Sequence, residues 1–200
     1  MIKNVIFDLG NVLLNFEPKE YVKSKVIEEK NEEVYESIFK SEEWPMLDRG
    51  TITEEDAKNN IISRKVENKE YINSVFENWY DILTPIESSV EVLKKLKERG
   101  YRVFYLSNFH LAAFEYVTKK HDFFGLFDGG VVSYKEKLLK PEKEIYEKIL
   151  YEYNLEPNET VFIDDMEVNV KAAVNYGMKG IILKNPIALK GELENLDINI

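Results

Sequence analysis

The chain contains no cysteine. That excludes disulfides, zinc–thiolate sites and thiol nucleophiles. No apolar run approaches the roughly 18–20 residues of a membrane-spanning helix, so no membrane partner is expected. Basic residues are outnumbered: 27 lysines and arginines face 37 aspartates and glutamates, for a formal charge of −10. Such a surface repels a phosphate backbone and argues against nucleic acid as a partner. It also disfavours a small anionic substrate, unless a metal ion or local lysines and arginines reverse the field at the site. No charged segment followed by an apolar stretch opens the sequence, so a cytoplasmic location is expected. What the chain does have is core material. It is 44% hydrophobic and 12% aromatic over 200 residues, enough for one domain with an insertion or two small ones.

The first fourteen residues organise the rest. Val5, Ile6 and Phe7 are a β-branched and aromatic run that suits a buried strand. Asp8 stands where that strand should end, and Gly10 and Asn11 follow as turn residues. In open α/β sheets ligands bind outside the carboxyl ends of the strands, so a carboxylate at that place can be a nucleophile or metal ligand. Asp8 could equally do no more than shape a turn.

Strand-like runs vanish between residues 15 and 85. Tyr21, Val22, Lys25 and Val26 mark one helix, and Val34, Tyr35, Ile38 and Phe39 a second. Glu42 to Gly50 reads as a loop or short helical turn. Thr53 followed by Asp56 reads as a capped helix start running to Lys65, and another helix is predicted over Lys69–Leu83. After Pro85 the pattern becomes β/α alternation. Strands are predicted at Arg102–Leu106, Gly129–Ser133, Thr160–Ile163 and Lys179–Leu183, separated by helices. One of these helices is expected to open at Lys140–Pro141, with the proline at its first position. The tail is weakly patterned. This alternation implies a parallel sheet with helices on both faces, and an α/β class.

Strand after strand delivers a polar group to one sheet edge: Asp8, Ser107–Asn108, the Lys140 loop, and Asp164–Asp165. Each has an ordinary structural explanation as a cap or an exposed lysine. Their recurrence at one edge does not. Phosphoryl transfer through an aspartate wants this set. A carboxylate attacks phosphorus to give an acyl phosphate, and positioned cations and donors neutralise the equatorial oxygens. Asp8 and Asp165 can supply carboxylates to Mg²⁺, and Ser107, Asn108 and Lys140 can hold phosphoryl oxygens.

These motifs resemble those of the haloacid dehalogenase superfamily of phosphohydrolases. They are Phe7-Asp8-Leu9-Gly10-Asn11-Val12-Leu13, Leu106-Ser107-Asn108, Lys140-Pro141-Glu142, and Phe162-Ile163-Asp164-Asp165 with Asn169 following. The resemblance covers essentially the whole chain and is nearest to bacterial sugar-1-phosphate phosphatases and the N-terminal domain of soluble epoxide hydrolase. It implies a three-layer Rossmann-like sheet of order 5-4-1-2-3. Residues 1–14 and 86–200 would form the core, and 15–85 an inserted helical cap. It further implies that Asp8 is the nucleophile and that Asp8, the Gly10 carbonyl and Asp165 hold Mg²⁺. Ser107 and Lys140 would bind the phosphoryl group, with Asp164 and Asn169 in support.

One position departs from the pattern. Phosphatases of this family carry a second aspartate two residues after the nucleophile as general acid and base, and here that position is Gly10. The absence favours good leaving groups such as acyl or anomeric sugar phosphates, or a surrogate. His110 is a candidate surrogate, or else a histidine in the first turn of a surface helix. Metal-independent dehalogenases lack that aspartate too, and a non-catalytic phosphate-binding module is a further alternative. In the cap loop, Trp44, Asp48 and Arg49 could face the site. Arg49 would offset the acidic field, and Trp44 would stack on a sugar or fill the cap core.

Overall fold

The computed structural model describes residues 1–200. A short buried strand β1 (Asn4–Phe7) leads into helices α1 (Pro18–Lys25), α2 (Asn31–Phe39), α3 (Glu43–Asp48), α4 (Glu54–Arg64) and α5 (Lys69–Phe76). The chain then alternates: α6 (Glu87–Glu98), β2 (Arg102–Ser107), α7 (Leu111–Lys120), β3 (Gly129–Val132), α8 (Ser133–Glu136), α9 (Lys143–Glu152), β4 (Thr160–Asp164), α10 (Glu167–Asn175), β5 (Lys179–Ile182) and α11 (Leu189–Glu194). All five strands are parallel and run in the order β3-β2-β1-β4-β5, the predicted order read from the other edge.

Strand periodicity divides the core. Val5, Phe7, Val103, Val161 and Ile163 point to one face, among side chains from α6, α7 and α11. Ile6, Phe104, Leu106 and Phe162 point to the other, against Ile145, Tyr146 and Ile149 of α9. Each buried aliphatic or aromatic side chain contributes about 1.5–3 kcal/mol relative to exposure, so a four-residue β1 buried on both faces is a firm centre. The helices between β1 and α6 have their own cluster around Val22, Val34, Ile38, Ile61, Ile72 and Val75.

Within Glu42–Gly50 the helical alternative holds, as the six-residue α3. Several expectations are corrected. The helix expected over Lys69–Leu83 stops at Phe76. Asn78 takes a left-handed conformation (φ 58°), and a 3₁₀ turn over Trp79–Ile82 swings both aromatic rings toward Glu54. Pro141 does not start a helix: α9 begins at Lys143. The Leu139–Glu142 segment is a turn closed by the Glu142 N–H on the Leu139 carbonyl at 2.7 Å, with a cis Lys140–Pro141 bond. The tail is folded, and Leu189, Leu193 and Ile198 join the larger core cluster.

The α4 start forms as its sequence predicts. Thr53 Oγ1 accepts from the Asp56 N–H, and Asp56 Oδ2 accepts from the Thr53 N–H, both at 3.1 Å. Thr53→Ala removes that cap and is expected to cost about 1 kcal/mol in urea unfolding, with the denaturant slope unchanged.

Candidate active site

The parallel register levels the strand ends. Phe7 pairs with Tyr105 on one side and Ile163 on the other, so Asp8 stands level with Asp164, and Ser107 lies just beyond. The Asp8 N–H continues the ladder to the Ile163 carbonyl at 2.8 Å, and the chain then turns away. One oxygen of Asp8, Oδ1, accepts from Ser107 Oγ at 2.6 Å, the Leu9 N–H at 2.7 Å and Lys140 Nζ at 2.8 Å. Lys140 Nζ also meets Asp164 Oδ2 at 2.6 Å. Asp164 is further held by the Asn169 amide at 3.1 Å to each oxygen and by the Met166 N–H at 2.7 Å.

Asn108 acts on Lys140. Its side chain accepts from the Lys140 N–H at 2.8 Å and donates to the Lys140 carbonyl at 3.1 Å. Asn108 also lines the cavity, but its side-chain oxygen and one amide N–H are engaged in fixing the turn that aims the lysine.

Electrostatics in this cluster follow from burial. Asp8, Asp164 and Lys140 are all buried. Burial pushes the Asp8 carboxyl up to about 7, with the Asp164 charge adding to the rise and Lys140 opposing it. Burial also works against the Lys140 charge, but Asp8 and Asp164 outweigh it and hold the ammonium above its ordinary range. Asp165 is raised, mainly by burial, with the Asn11 hydrogen bond opposing.

Asp8, Asp164 and Asp165 each present a carboxylate oxygen within 4.8 Å of the others. Oδ2 of Asp8 and Oδ1 of Asp165 receive no hydrogen bond, whereas both oxygens of Asp164 do. Three carboxylates against one ammonium leave two negative charges uncompensated. Open, hard oxygen donors with that charge fit a divalent cation such as Mg²⁺.

Above the cluster is a cavity of about 180 Å³. Its lining includes Asp8, Gly10, Ser107, Lys140 and Asp165 from the strand ends and the Lys140 turn, together with Trp44 and Asp48 from α3 and Trp79 from the 3₁₀ turn. Trp44 lines the cavity and also packs with Phe16, Phe39 and Trp79. Arg49 does not face the site, contrary to expectation. Its guanidinium forms a two-armed contact with Glu142 and donates to the Lys137 carbonyl at 3.0 Å. Sequence reasoning missed Trp79, whose indole N–H donates to Glu54 at 3.0 Å, because it sat inside a predicted helix. It also missed the side chain of Asn11, which donates to Asp165 at 3.3 Å and accepts from the Phe16 N–H at 3.1 Å.

His110 is buried, not at the surface, with its ring stacked on Trp79 at 4.9 Å and beside Trp44 at 5.1 Å. Neither ring nitrogen has a hydrogen-bond partner in the protein. Burial holds its pKa down at about 3, so the ring is neutral near pH 7 and a poor proton donor.

A histidine kept neutral in the fold and free to protonate in the unfolded chain costs stability as pH falls below its unfolded pKa of about 6.5. The loss continues down to the folded value near 3. Between pH 7 and 4.5, His110 should account for about 2–3 kcal/mol of lost stability. Urea unfolding of wild type and His110→Phe at the two pH values checks this, since the variant should lack that share of the pH dependence.

Comparison with known proteins agrees with the architecture. A family profile described as haloacid dehalogenase-like hydrolase matches residues 2–177. A sesquiterpene phosphatase of Aspergillus oryzae is 31% identical over 194 residues, covering 97% of this chain and 96% of that protein. A solved HAD family enzyme of Bacteroides thetaiotaomicron, complexed with magnesium and inorganic phosphate, superposes with a TM-score of 0.70 at 28% identity. That superposition covers 90% of this chain and 93% of the other. The L-2-haloacid dehalogenase of Xanthobacter autotrophicus shares the fold, with a TM-score of 0.65 at 17% identity over 100% of this chain and 85% of that one. With the match spanning nearly the whole sequence and the strand-end carboxylates gathered as that architecture requires, the chain belongs to the haloacid dehalogenase-like hydrolases.

Proposed function

We propose that the protein is a Mg²⁺-dependent phosphatase of a small phosphorylated metabolite, working through an aspartyl phosphate on Asp8. The observation that carries this is the open pair of oxygens, Asp8 Oδ2 and Asp165 Oδ1, beside a lysine that neutralises only part of the buried charge. In this reading residues 1–14 and 86–200 are the core domain and 15–85 the cap.

Asp8, Asp165 and the Gly10 carbonyl hold the cation. When bound, it draws charge from the phosphoryl oxygens and lets an anion approach the acidic floor. Lys140 and Ser107 bind the phosphoryl group, and Asp164 with Asn169 keeps the lysine aimed. Asp8 attacks phosphorus in line, and the leaving oxygen departs on the face away from Asp8, into the cavity. Aromatic packing around the cavity keeps water from the acyl phosphate.

The cavity is smaller than the roughly 300–1,000 Å³ of sites for drug-sized ligands, which suits a phosphoryl group with a compact alcohol. Its wall of Trp44, Trp79 and Phe16 suits an alcohol with an apolar face, such as the C–H face of a sugar 1-phosphate. The similarity to a sesquiterpene phosphatase supports phosphate esters as the substrate class. A metal-independent dehalogenase has no use for the open carboxylates.

A screen of phosphorylated metabolites with and without Mg²⁺, on wild type and Asp8→Asn together, tests the proposal. Wild type should release phosphate only with the metal, chelation should abolish release reversibly, and Asp8→Asn should fall to the no-enzyme rate. Release that persists in Asp8→Asn would refute it.

A further inference from the structure

Position 10 offers no carboxyl, yet the cavity contains one that the reading above does not use. Asp48 closes α3 and lines the same cavity as Asp8. Its carboxylate forms no hydrogen bond and no ion pair, while three contacts hold its backbone neighbourhood in place. Ser133 Oγ donates to the Asp48 carbonyl, Arg49 clamps Glu142, and Lys137 Nζ donates to the Gly50 carbonyl. All three anchors belong to the segment that runs into the Lys140 turn. The backbone that carries the Asp48 carboxyl is thus fixed relative to the Lys140 turn.

We propose that Asp48 is the general acid and base of the reaction, supplied by the cap in place of the missing residue 10 carboxyl. The inference rests on the phosphatase reading. In-line attack sends the leaving oxygen to the face of phosphorus away from Asp8, into the cavity that Asp48 also lines. As the Asp8 carboxylate bonds to phosphorus, the ester P–O bond breaks, its electron pair stays on the leaving oxygen, and the Asp48 carboxyl gives that oxygen its proton. The alcohol leaves and water takes the vacated place. Asp48, now a carboxylate, takes a proton from that water as its oxygen bonds to phosphorus. The P–O bond to Asp8 breaks, freeing phosphate and regenerating Asp8 as a carboxylate and Asp48 as an acid.

Other groups around the cavity are less suited. Lys140 is engaged between Asp8 and Asp164, Asp165 lies on the cation side, and His110 is held neutral. Asp48 is pushed up to about 7, by burial first and then by the Asp8 charge, with Lys140 opposing, which suits proton exchange in both directions. With such an acid present, the restriction to good leaving groups implied by Gly10 is lifted. A Cβ at Gly10 would meet nothing within 4 Å, so an aspartate fits there and offers an independent test.

The test compares wild type, Asp48→Asn, Gly10→Asp and the double variant on 4-nitrophenyl phosphate and on alkyl phosphates, with Mg²⁺. Asp48→Asn should lose about 10²–10⁴-fold on alkyl phosphates. On 4-nitrophenyl phosphate it should release one equivalent of nitrophenolate quickly and then stall, with a phosphorylated protein visible by mass spectrometry. Gly10→Asp in the Asp48→Asn background should restore alkyl phosphate turnover and remove the trapped phosphoprotein. Asp48→Asn that keeps the wild-type dependence on leaving group, or loses both substrates equally without a burst, would overturn the proposal. If wild type itself releases no nitrophenolate, the phosphatase reading fails instead.

Discussion

The Lys140 ammonium is the constraint on which the rest of the site depends. Two buried carboxylates of like sign, Asp8 and Asp164, face each other across adjacent strands, and one cation lies 2.8 Å from the first and 2.6 Å from the second. Removing an ion from water costs several kcal/mol even after relaxation, so such a cluster persists only where partners are close and hydrogen bonds are complete. The surrounding structure supplies both. Asn108 grips the lysine backbone, Asn169 and the Met166 N–H saturate Asp164, and Ser107 with the Leu9 N–H saturates one oxygen of Asp8. Asp8 and Asp165 each keep one carboxylate oxygen without a hydrogen bond, and both residues line the cavity.

The same turn links floor and roof. The segment from Ser133 to Glu142 carries Lys140 and also receives the end of α3 through Asp48, Arg49 and Gly50. Gly50 is required at that junction, since it takes φ 67° and a Cβ would lie 2.6 Å from the Tyr134 carbonyl oxygen. The position of α3 and that of the lysine are therefore not independent. An aromatic group of Phe16, Phe39, Trp44, Trp79 and His110 continues the contact on the other side, so the helices are joined to the sheet by packing as well as by charge.

Much of this was legible locally. Val5-Ile6-Phe7 followed by Asp8, and Thr160 to Ile163 followed by Asp164-Asp165, read as strands ending in carboxylates because strand propensity and the polar break fall within a few adjacent residues. Thr53 with Asp56 read as a cap for the same reason. Arg49 and His110 were misplaced because charge and spacing say nothing of which distant groups compete for a side chain. Glu142 claims Arg49, and Trp44 with Trp79 buries His110. Pro141 was misread because its place in a turn depends on Asn108, far away in sequence, fixing Lys140 from both sides.

By itself the sequence determined the alternation of strands and helices, the polar residue at each strand end, the helical insert, and the empty position at Gly10. Each depends on neighbours along the chain. Tertiary structure alone decided that Asn108 serves a lysine, that Arg49 serves a glutamate, and that Trp79 and His110 meet beside the cavity. Those outcomes depend on which segments meet across space, where burial and competing partners set the charge and direction of every group.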